Sequence, residues 1–250
     1  MPTQELSGTT ALVTGASRGF GRVIALALSK HGADVAGVAR DHGRLEELRA
    51  HLGDTFTLVA ADVADPVVAG QLLDRHRPRT LVLNAGAAPL TRPVHRQTWQ
   101  TFSRNWEVDV QHVFNWTREA LLLPLQPGSV VIAFSSGAAV NGSPLSGGYA
   151  GAKATIRFNA SYAAAEASHN ALDIRFTSVL PQLTPETDLG AAGVAAYAAR
   201  QGVGIPAFLD RLGPALTPEQ VGTAIADIVT GSADDRDAYL LTAAGLSPVQ

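Results

Sequence analysis

Apolar residues along the chain occur in short runs separated by longer segments with helical spacing. Short runs rich in valine and leucine predict strands of a sheet that is covered on both faces. The predicted strands are residues 10–14, 34–39, 55–60, 80–83, 129–134, 174–179 and, at an edge of the sheet, 239–242.

The segments between these runs predict helices, and residues 98–123 carry the clearest pattern. Mostly apolar side chains recur there at steps of three and four, which is typical of one face of a helix. The residues of this predicted face are Trp99, Phe102, Trp106, Val110, Val113 and Thr117. The other predicted helices are residues 19–31, 44–51, 149–168 and 218–229, the last with Thr217 as N-cap and Glu219 in its first turn.

Strands and helices in alternation predict an α/β protein with a parallel sheet and helices on both faces. Right-handed crossovers then give a Rossmann-like, doubly wound sheet, whose ligands bind beyond the carboxyl ends of the strands. No internal repeat or low-complexity linker divides the chain, so residues 1–250 are predicted to form a single domain.

Composition narrows the classes of function. The chain is 46% hydrophobic and 16% charged, as in a folded globular protein, and its net charge of −3 disfavours a nucleic-acid partner. It has no cysteine and no pair of histidines at i, i+4, so we expect no disulfide, no thiolate nucleophile and no metal site. With no signal peptide and no apolar stretch of about 18 residues, we expect a cytoplasmic protein without a membrane partner.

A glycine-rich segment, Thr14 to Gly21, follows the first predicted strand directly. Its glycines, Gly15, Gly19 and Gly21, have the pattern G-x-x-x-G-x-G. Glycines at such a place permit a tight turn, close approach of a pyrophosphate and close packing of helix on strand. The N-terminus of the following helix favours phosphate. By itself the pattern also fits an ordinary strand-to-helix turn.

Tyr149 and Lys153 lie at i, i+4 on a predicted helix and therefore on one face. A lysine cation beside a tyrosine favours the phenolate, so the pair suits proton transfer. The chain has four tyrosines and two lysines, so chance predicts only about 0.03 such pairs. Ser136 lies just after the predicted strand 129–134 and thirteen residues before Tyr149. Alone, it is more typical of a turn.

These motifs resemble those of the short-chain dehydrogenase/reductase family, and the resemblance extends over nearly the whole chain. It implies that Tyr149 is the acid or base, that Lys153 holds the nicotinamide ribose and that Ser136 orients the substrate oxygen. Leu83-Asn84-Ala85-Gly86 matches the family's N-N-A-G motif, and Asp62-Val63 matches its adenine-contacting pair. The cofactor residues so implied are Gly15, Ser17, Arg18, Gly19, Phe20, Gly21, Arg40, Asp62, Val63, Asn84, Ala85, Gly86, Tyr149, Lys153, Pro181 and Thr187.

The end of the second predicted strand bears on the choice of cofactor. An acidic residue there would accept a hydrogen bond from the ribose 2′-hydroxyl of NAD and repel a 2′-phosphate. The chain has Ala39 at that place, followed by Arg40, and carries Arg18 inside the glycine segment. Arginine forms charge-assisted contacts with phosphate, so these two residues predict NADP(H).

Three positions depart from the family pattern. Asp109 stands where the family has a catalytic asparagine that helps to hold a water near the lysine. We expect Asp109 to keep a catalytic role, with an added charge near Lys153. Gln182 replaces the glycine that follows Pro181, and the C-terminal D-G-G is absent.

The segment 189–216 is rich in alanine and glycine and is expected to form a lid over the substrate. With residues 87–90 it suggests an apolar pocket. We therefore expect a small, mostly apolar ketone or aldehyde and the matching alcohol as substrates. The resemblance also implies a homodimer or homotetramer.

Two alternatives remain open from the sequence. One is a non-catalytic nucleotide-binding relative that acts as a regulator or scaffold, which the change at Asp109 would favour. The other is a different reaction in the same fold, such as dehydration or epimerisation with a bound nicotinamide.

Overall fold

The computed structural model describes residues 5–249, and these contain an eight-stranded sheet with the order β3-β2-β1-β4-β5-β6-β7-β8. Neighbouring strands are parallel except β7 and β8, which are antiparallel. The strands are β1 (Thr10–Thr14), β2 (Asp34–Ala39), β3 (Phe56–Ala60), β4 (Thr80–Leu83), β5 (Ser129–Phe134), β6 (Ile174–Pro181), β7 (Ala238–Thr242) and β8 (Gly245–Pro248). The chain reverses its winding direction between β1 and β4, where ligands of such sheets bind.

Helices cover both faces of this sheet, which confirms the predicted doubly wound fold. The helices are α1 (Gly19–Lys30), α2 (His42–Leu52), α3 (Pro66–His76), α4 (Trp99–Asn105), α5 (Gln111–Leu122), α6 (Ala138–Asn141), α7 (Gly147–His169), α8 (Asp188–Arg200), α9 (Ile205–Leu212) and α10 (Pro218–Thr230). A π-helical turn (Trp106–Val110) joins α4 to α5.

Two hydrophobic layers sandwich the sheet. Apolar side chains of α1, α2 and α10, such as Ile24 and Ile225, pack on one face. Side chains of α3, α5 and α7 pack on the other, where Trp116 is fully buried. Because both faces are covered, β1, β2, β4 and β5 are buried along almost their whole length instead of alternating.

The π-helical turn corrects one prediction. The aromatic and apolar positions of residues 98–123 do not share one face, since Trp99 is 76% exposed whereas Val113 is only 1% exposed. A π-helical turn inserts one extra residue, which rotates everything after it by about 100°. The side chains before and after the turn therefore face different surroundings.

Helices α3, α6, α8 and α9 and strand β8 were not among the predicted elements. Helix α3 has Asp65 as its N-cap, whose carboxylate accepts a hydrogen bond from the Val67 backbone N–H, with Pro66 in the first turn. Strand β8 pairs with β7 through a tight turn in which Gly245 has φ +104°. Residues 239–242 are thus wrong as an edge strand, because β8 covers that side of β7.

Helix α10 has the N-cap expected from the sequence. The Thr217 side chain accepts a hydrogen bond from the Gln220 backbone N–H (3.2 Å), and Gln220 Oε1 accepts one from the Thr217 N–H (2.9 Å). Both bonds satisfy N–H groups that the start of the helix would otherwise leave unpaired. Helix α10 packs along α1, the helix that follows the glycine segment.

We expect Thr217→Ala to lower the free energy of unfolding by about 1 kcal/mol, because it removes this cap. For a chain of this size the melting temperature should fall by roughly 2–4 °C. Thermal unfolding followed by circular dichroism measures both, with Thr223→Ala, the same substitution at an exposed position inside α10, as control because it leaves the capping bonds in place. Equal effects of the two substitutions would contradict the cap.

Candidate active site

The glycine segment turns sharply between β1 and α1. Gly15 and Gly19 have φ of +71° and +52°, which residues with a side chain rarely adopt. A Cβ on Gly21 would lie 2.2 Å from the Gly15 carbonyl oxygen, so α1 can approach the turn only with glycine there. Ser17 and Phe20 are half-buried within the same turn. The first turn of α1 has no acidic residue and no side-chain cap, which leaves its N–H groups free for an anion.

The end of β4 braces this turn. The Thr14 hydroxyl accepts hydrogen bonds from the backbone N–H of Asn84 (2.9 Å) and of Ala85 (3.2 Å). The Asn84 side-chain amide donates to the Thr14 carbonyl oxygen (3.2 Å). The sequence predictions did not include Thr14, although its place directly before Gly15 was a usable signal.

Asp62 and Val63 follow β3 at the same edge of the sheet. The Asp62 side chain is exposed and accepts a hydrogen bond from the Ala64 N–H (3.0 Å). Val63 is buried, and its carbonyl oxygen accepts a hydrogen bond from the Trp116 indole (3.0 Å). Core packing therefore fixes the backbone of this pair.

The two arginines predicted to select the cofactor differ in their surroundings. Both are exposed. Arg18 Nη1 lies 3.5 Å from an Asp188 carboxylate oxygen at the start of α8, whereas within residues 5–249 Arg40 forms no ion pair. A ligand phosphate would have to replace Asp188 as the partner of Arg18.

Lys153 is a buried charged group of the site, with 5% of its surface exposed. Its ammonium donates a hydrogen bond to the Phe134 carbonyl oxygen (3.1 Å) and lies 3.3 Å from an Asp109 carboxylate oxygen. The Lys153 carbonyl oxygen accepts a hydrogen bond from the Ser135 hydroxyl (2.7 Å). The ammonium lies 5.5 Å from the centre of the Tyr149 ring.

The charge state of Lys153 follows from these neighbours. Burial by itself lowers the pKa of the lysine, but Asp109 and Tyr149 outweigh burial, and the pKa is raised above its usual value. Nearby His112 behaves oppositely: burial and the Lys153 charge lower the pKa of its imidazole to about 3. His112 is therefore neutral and packs edge-on against Trp116, with ring centres 5.9 Å apart.

Asp109 is fully buried but well satisfied. One carboxylate oxygen accepts a hydrogen bond from the Ala87 backbone N–H (2.7 Å), and the other faces Lys153 and the Asn105 amide (3.4 Å). Asn105 also donates to the Ala87 carbonyl oxygen (2.8 Å). A Cβ on Gly86 would lie 2.9 Å from the Asp109 carboxylate, which explains why this position has no side chain. No sequence signal pointed to Asn105, or to Ala87 as a partner of Asp109.

Ser136 and Tyr149 are both half-buried and lie near the carboxyl end of β5. The Ser136 hydroxyl accepts a hydrogen bond from the Ala138 N–H (3.2 Å), while the neighbouring Ser135 points to the other side and binds α7. At the end of β5, the buried Ser135 thus binds α7, whereas the half-buried Ser136 remains accessible.

Residues after β6 approach the glycine segment from the opposite side. Pro181 ends β6, and its carbonyl oxygen accepts a hydrogen bond from the Gly137 N–H (3.0 Å). Thr187 caps α8 through the Gly190 N–H (3.1 Å), and its methyl group would lie 4.0 Å from a Cβ on Gly19. The start of α8 therefore lies directly against the glycine segment.

Helices α8 and α9 form a small unit with a hydrophobic cluster of its own, centred on Val194, Ala198 and Phe208. Tyr197 stacks on Phe208 with ring centres 6.4 Å apart, and its hydroxyl contacts the Ser143 hydroxyl in the loop before α7. This unit spans most of the predicted lid, and the hydroxyl contact joins it to the segment that leads to Tyr149.

Within residues 5–249, no group of three histidine, cysteine, aspartate or glutamate side chains is placed to hold a metal ion. The helices described for that part of the chain are all too short or too polar to span a bilayer.

Comparison of the sequence with known proteins identifies relatives of this chain. The sequence profile of the family described as short chain dehydrogenase matches residues 9–197. A short chain dehydrogenase/reductase, dpmpG, from Macrophomina phaseolina is 35% identical over 149 residues, which cover 55% of this chain and 85% of that protein. For the next curated relatives, the matched segment covers between 52% and 66% of their length, which for each is less than two thirds.

Solved structures share the fold over almost the whole chain. A short chain dehydrogenase from Burkholderia cenocepacia J2315, in complex with NADP, has 27% identity and a TM-score of 0.77 and covers 91% of this chain and 92% of its own. A 3-ketoacyl-(acyl-carrier-protein) reductase from Brucella melitensis, complexed with NADH, has 24% identity and a TM-score of 0.75, with coverage of 91% and 93%. On the match to the family profile, the chain belongs to the short-chain dehydrogenase family.

Proposed function

We propose that this protein is an NADP(H)-dependent oxidoreductase that interconverts a small, mostly apolar ketone or aldehyde and the corresponding alcohol. The observation that carries the proposal is the buried ammonium of Lys153, held 5.5 Å from the Tyr149 ring at the carboxyl edge of the sheet. A charged lysine is rarely buried unless it is paired, and here it lies beside Tyr149, whose hydroxyl is suited to proton transfer.

The residues present fit a dinucleotide. Gly15 and Gly21 keep the turn tight, and a Cβ on Gly19 would meet nothing nearer than the Thr187 methyl group at 4.0 Å, so this side of the turn is open to a pyrophosphate. The uncapped α1 N-terminus attracts it. Arg40 and Arg18 are the groups that would hold a 2′-phosphate. The NADP complex of the Burkholderia cenocepacia protein supports this choice, whereas the NADH complex of the more distant Brucella melitensis protein supports only the fold.

When bound, the nicotinamide supplies or accepts the hydride. In reduction, Tyr149 donates its hydroxyl proton to the carbonyl oxygen as the carbonyl carbon gains the hydride, and in oxidation it takes the proton back. The Ser136 hydroxyl orients that oxygen by a hydrogen bond. The Lys153 ammonium stabilises the phenolate and binds the ribose, while Asp109 positions the ammonium.

The apolar character of the proposed substrate rests on the lid. Leu189, the first residue of the lid, is apolar and 41% exposed, and residues 87–90 follow β4 next to Asp109 without a charged side chain. Apolar surroundings of this kind favour a substrate that leaves few unpaired polar groups behind.

A second copy of the chain is the proposed partner. Large apolar side chains of α5 and α7 are exposed next to each other: Phe114 (53%), Leu122 (57%), Phe158 (53%) and Tyr162 (65%). Exposed apolar patches of this kind mark interaction sites. Light scattering that gives the mass of one 26.0 kDa chain at micromolar concentration would contradict this assembly.

The alternative of a non-catalytic scaffold loses its main support. Asp109 does not disrupt the site, because its carboxylate accepts the Ala87 N–H and pairs with Lys153.

We expect Tyr149→Phe to lower kcat for carbonyl reduction by about 10²–10⁴-fold, because the acid and base is lost. The affinity for NADPH should change little, since the ring remains. Steady-state assays and a fluorescence titration with NADPH measure the two effects. Tyr162→Phe, on the same helix, is the matched control, because it removes an exposed hydroxyl and keeps the ring that the proposed contact with a second copy would use. Unimpaired turnover by Tyr149→Phe would contradict the proposed role of Tyr149 as acid and base.

We expect the double variant Arg18→Ala/Arg40→Ala to bind NADPH about 10–100-fold more weakly, because two charge-assisted contacts to the 2′-phosphate are lost. NADH affinity should stay within about twofold, since NADH lacks that phosphate. Titrations with both nucleotides measure this difference, with Arg49→Ala on the exposed side of α2 as control. An equal loss for the two nucleotides would refute the assigned role.

We expect Asp109→Asn to lower the free energy of unfolding by about 1–3 kcal/mol, because the buried Lys153 charge loses its counter-charge while asparagine keeps the bond from Ala87. The pKa of Lys153 is raised in the folded protein, so the stabilisation is fully present below the unfolded lysine pKa of about 10.4 and is lost as pH rises through the folded value. Urea unfolding at pH 7, 9 and 11 follows the difference.

The control for this variant is Asp188→Asn, which removes an exposed ion pair with Arg18 and should leave stability nearly unchanged. If the difference in free energy of unfolding between Asp109→Asn and the native chain does not shrink at high pH, the Lys153 charge is not the cause of that difference.

A further inference from the structure

Helix α7, which carries Tyr149 and Lys153, has a first turn whose own residues favour helix formation only weakly. Three of its first five residues are glycines: Gly147, Gly148 and Gly151. Glycine weakens a helix because its backbone loses more freedom on ordering than that of any other residue. The N-cap, Ser146, forms no side-chain capping bond. Contacts from outside the helix must therefore hold this turn, in which Tyr149 lies.

Helix α4 and the π-helical turn supply these contacts. A Cβ on Gly148 would lie 2.0 Å from the Phe102 carbonyl oxygen, so the two backbones approach as closely as only glycine permits. The Trp106 indole N–H donates a hydrogen bond to the Gly148 carbonyl oxygen (3.2 Å). The same ring lies against Gly151, where a Cβ would be 3.4 Å from Trp106 Cζ2. Trp106 thus contacts the residues on both sides of Tyr149.

The π-helical turn connects this contact to the lysine. Trp106 is its first residue, and Asp109, which pairs with Lys153, is its fourth. One turn of backbone therefore contacts the catalytic helix at Gly148, just before Tyr149, and at Lys153, one turn after it. The relative placement of the Tyr149 ring and the Lys153 ammonium depends on the geometry of that turn.

We propose that Trp106 is a positioning residue, which fixes the Tyr149 hydroxyl by holding the glycine-rich first turn of α7. This inference rests on the proposed function of Tyr149. Loss of the indole contact frees the first turn, so the hydroxyl spends less time in the reactive position. Because small displacements of a reacting group strongly reduce rates, kcat should fall. Lys153 also contributes to the nucleotide site, but the glycine segment belongs to β1 and α1, so nucleotide affinity should change much less than kcat.

The test compares Trp106→Phe, which keeps a ring but removes the N–H donor, with Trp99→Phe, a change of the same kind at a 76% exposed position in α4, the helix before the π-helical turn. A second pair compares Gly148→Ala with Gly147→Ala, where a Cβ would meet only the Phe102 ring at 3.4 Å. The measurements are kcat, KM and the NADPH dissociation constant, light scattering, and hydrogen exchange of backbone amides 148–153 without nucleotide.

We expect Trp106→Phe to lower kcat by about tenfold with an NADPH dissociation constant within about twofold of the native value. Gly148→Ala should lower kcat further, and the two control variants should behave as the native chain. Amide exchange at residues 148–153 should accelerate in Trp106→Phe and Gly148→Ala. Unchanged kcat and exchange in Trp106→Phe, or a loss of kcat that follows a change of oligomeric state, would overturn the role of Trp106. A native chain that neither binds NADPH nor turns over a carbonyl would defeat the proposed function, while the exchange result would still decide whether Trp106 holds the turn.

Discussion

A lysine ammonium buried in a protein must find partners for its charge and its protons, and at Lys153 this requirement organises the site. Removing such a charge from water costs several kcal/mol unless good contacts compensate. The Phe134 carbonyl oxygen at the end of β5 and the Asp109 carboxylate in the π-helical turn provide them. Asp109 in turn binds the Ala87 N–H after β4. Four segments, from β4, the π-helical turn, β5 and α7, are thus held together through one charged group.

The proposed nucleotide half of the site depends on a different kind of constraint, which is close approach of backbones. Asn84 and Ala85 at the end of β4 bind Thr14 at the end of β1, where the winding of the sheet reverses. Both halves therefore share the loop after β4: its first residues brace the glycine segment, and Ala87 holds Asp109. A shift of this loop would disturb the proposed nucleotide site and the proposed proton-transfer site together.

The sequence predicted most of the strands and the Tyr149–Lys153 pair because these features are local or depend on a fixed helical spacing. It failed at the π-helical turn, since the extra residue there is stabilised by contacts with α7 that lie far away in the chain. The partners of Asp109, namely Asn105 and Ala87, belong to the same class of tertiary contacts. Helix α3 could have been found from Asp65 and Pro66, which are ordinary start signals. Strand β8 has only four residues and forms by pairing with β7, so its own pattern is weak.

The most direct test of the central claim is nuclear magnetic resonance of the lysine ammonium groups in protein labelled with ¹⁵N-lysine. The chain has two lysines, exposed Lys30 and buried Lys153, so substitution of Lys30 by arginine assigns both signals. We expect Lys153 to remain an ammonium beyond pH 10.4, roughly where a free lysine side chain loses half its protons. Its signal alone should move when NADPH is added. If the Lys153 side chain loses its proton below that pH, or if its signal does not respond to NADPH, the claim that the paired lysine is the centre of a nicotinamide site is contradicted.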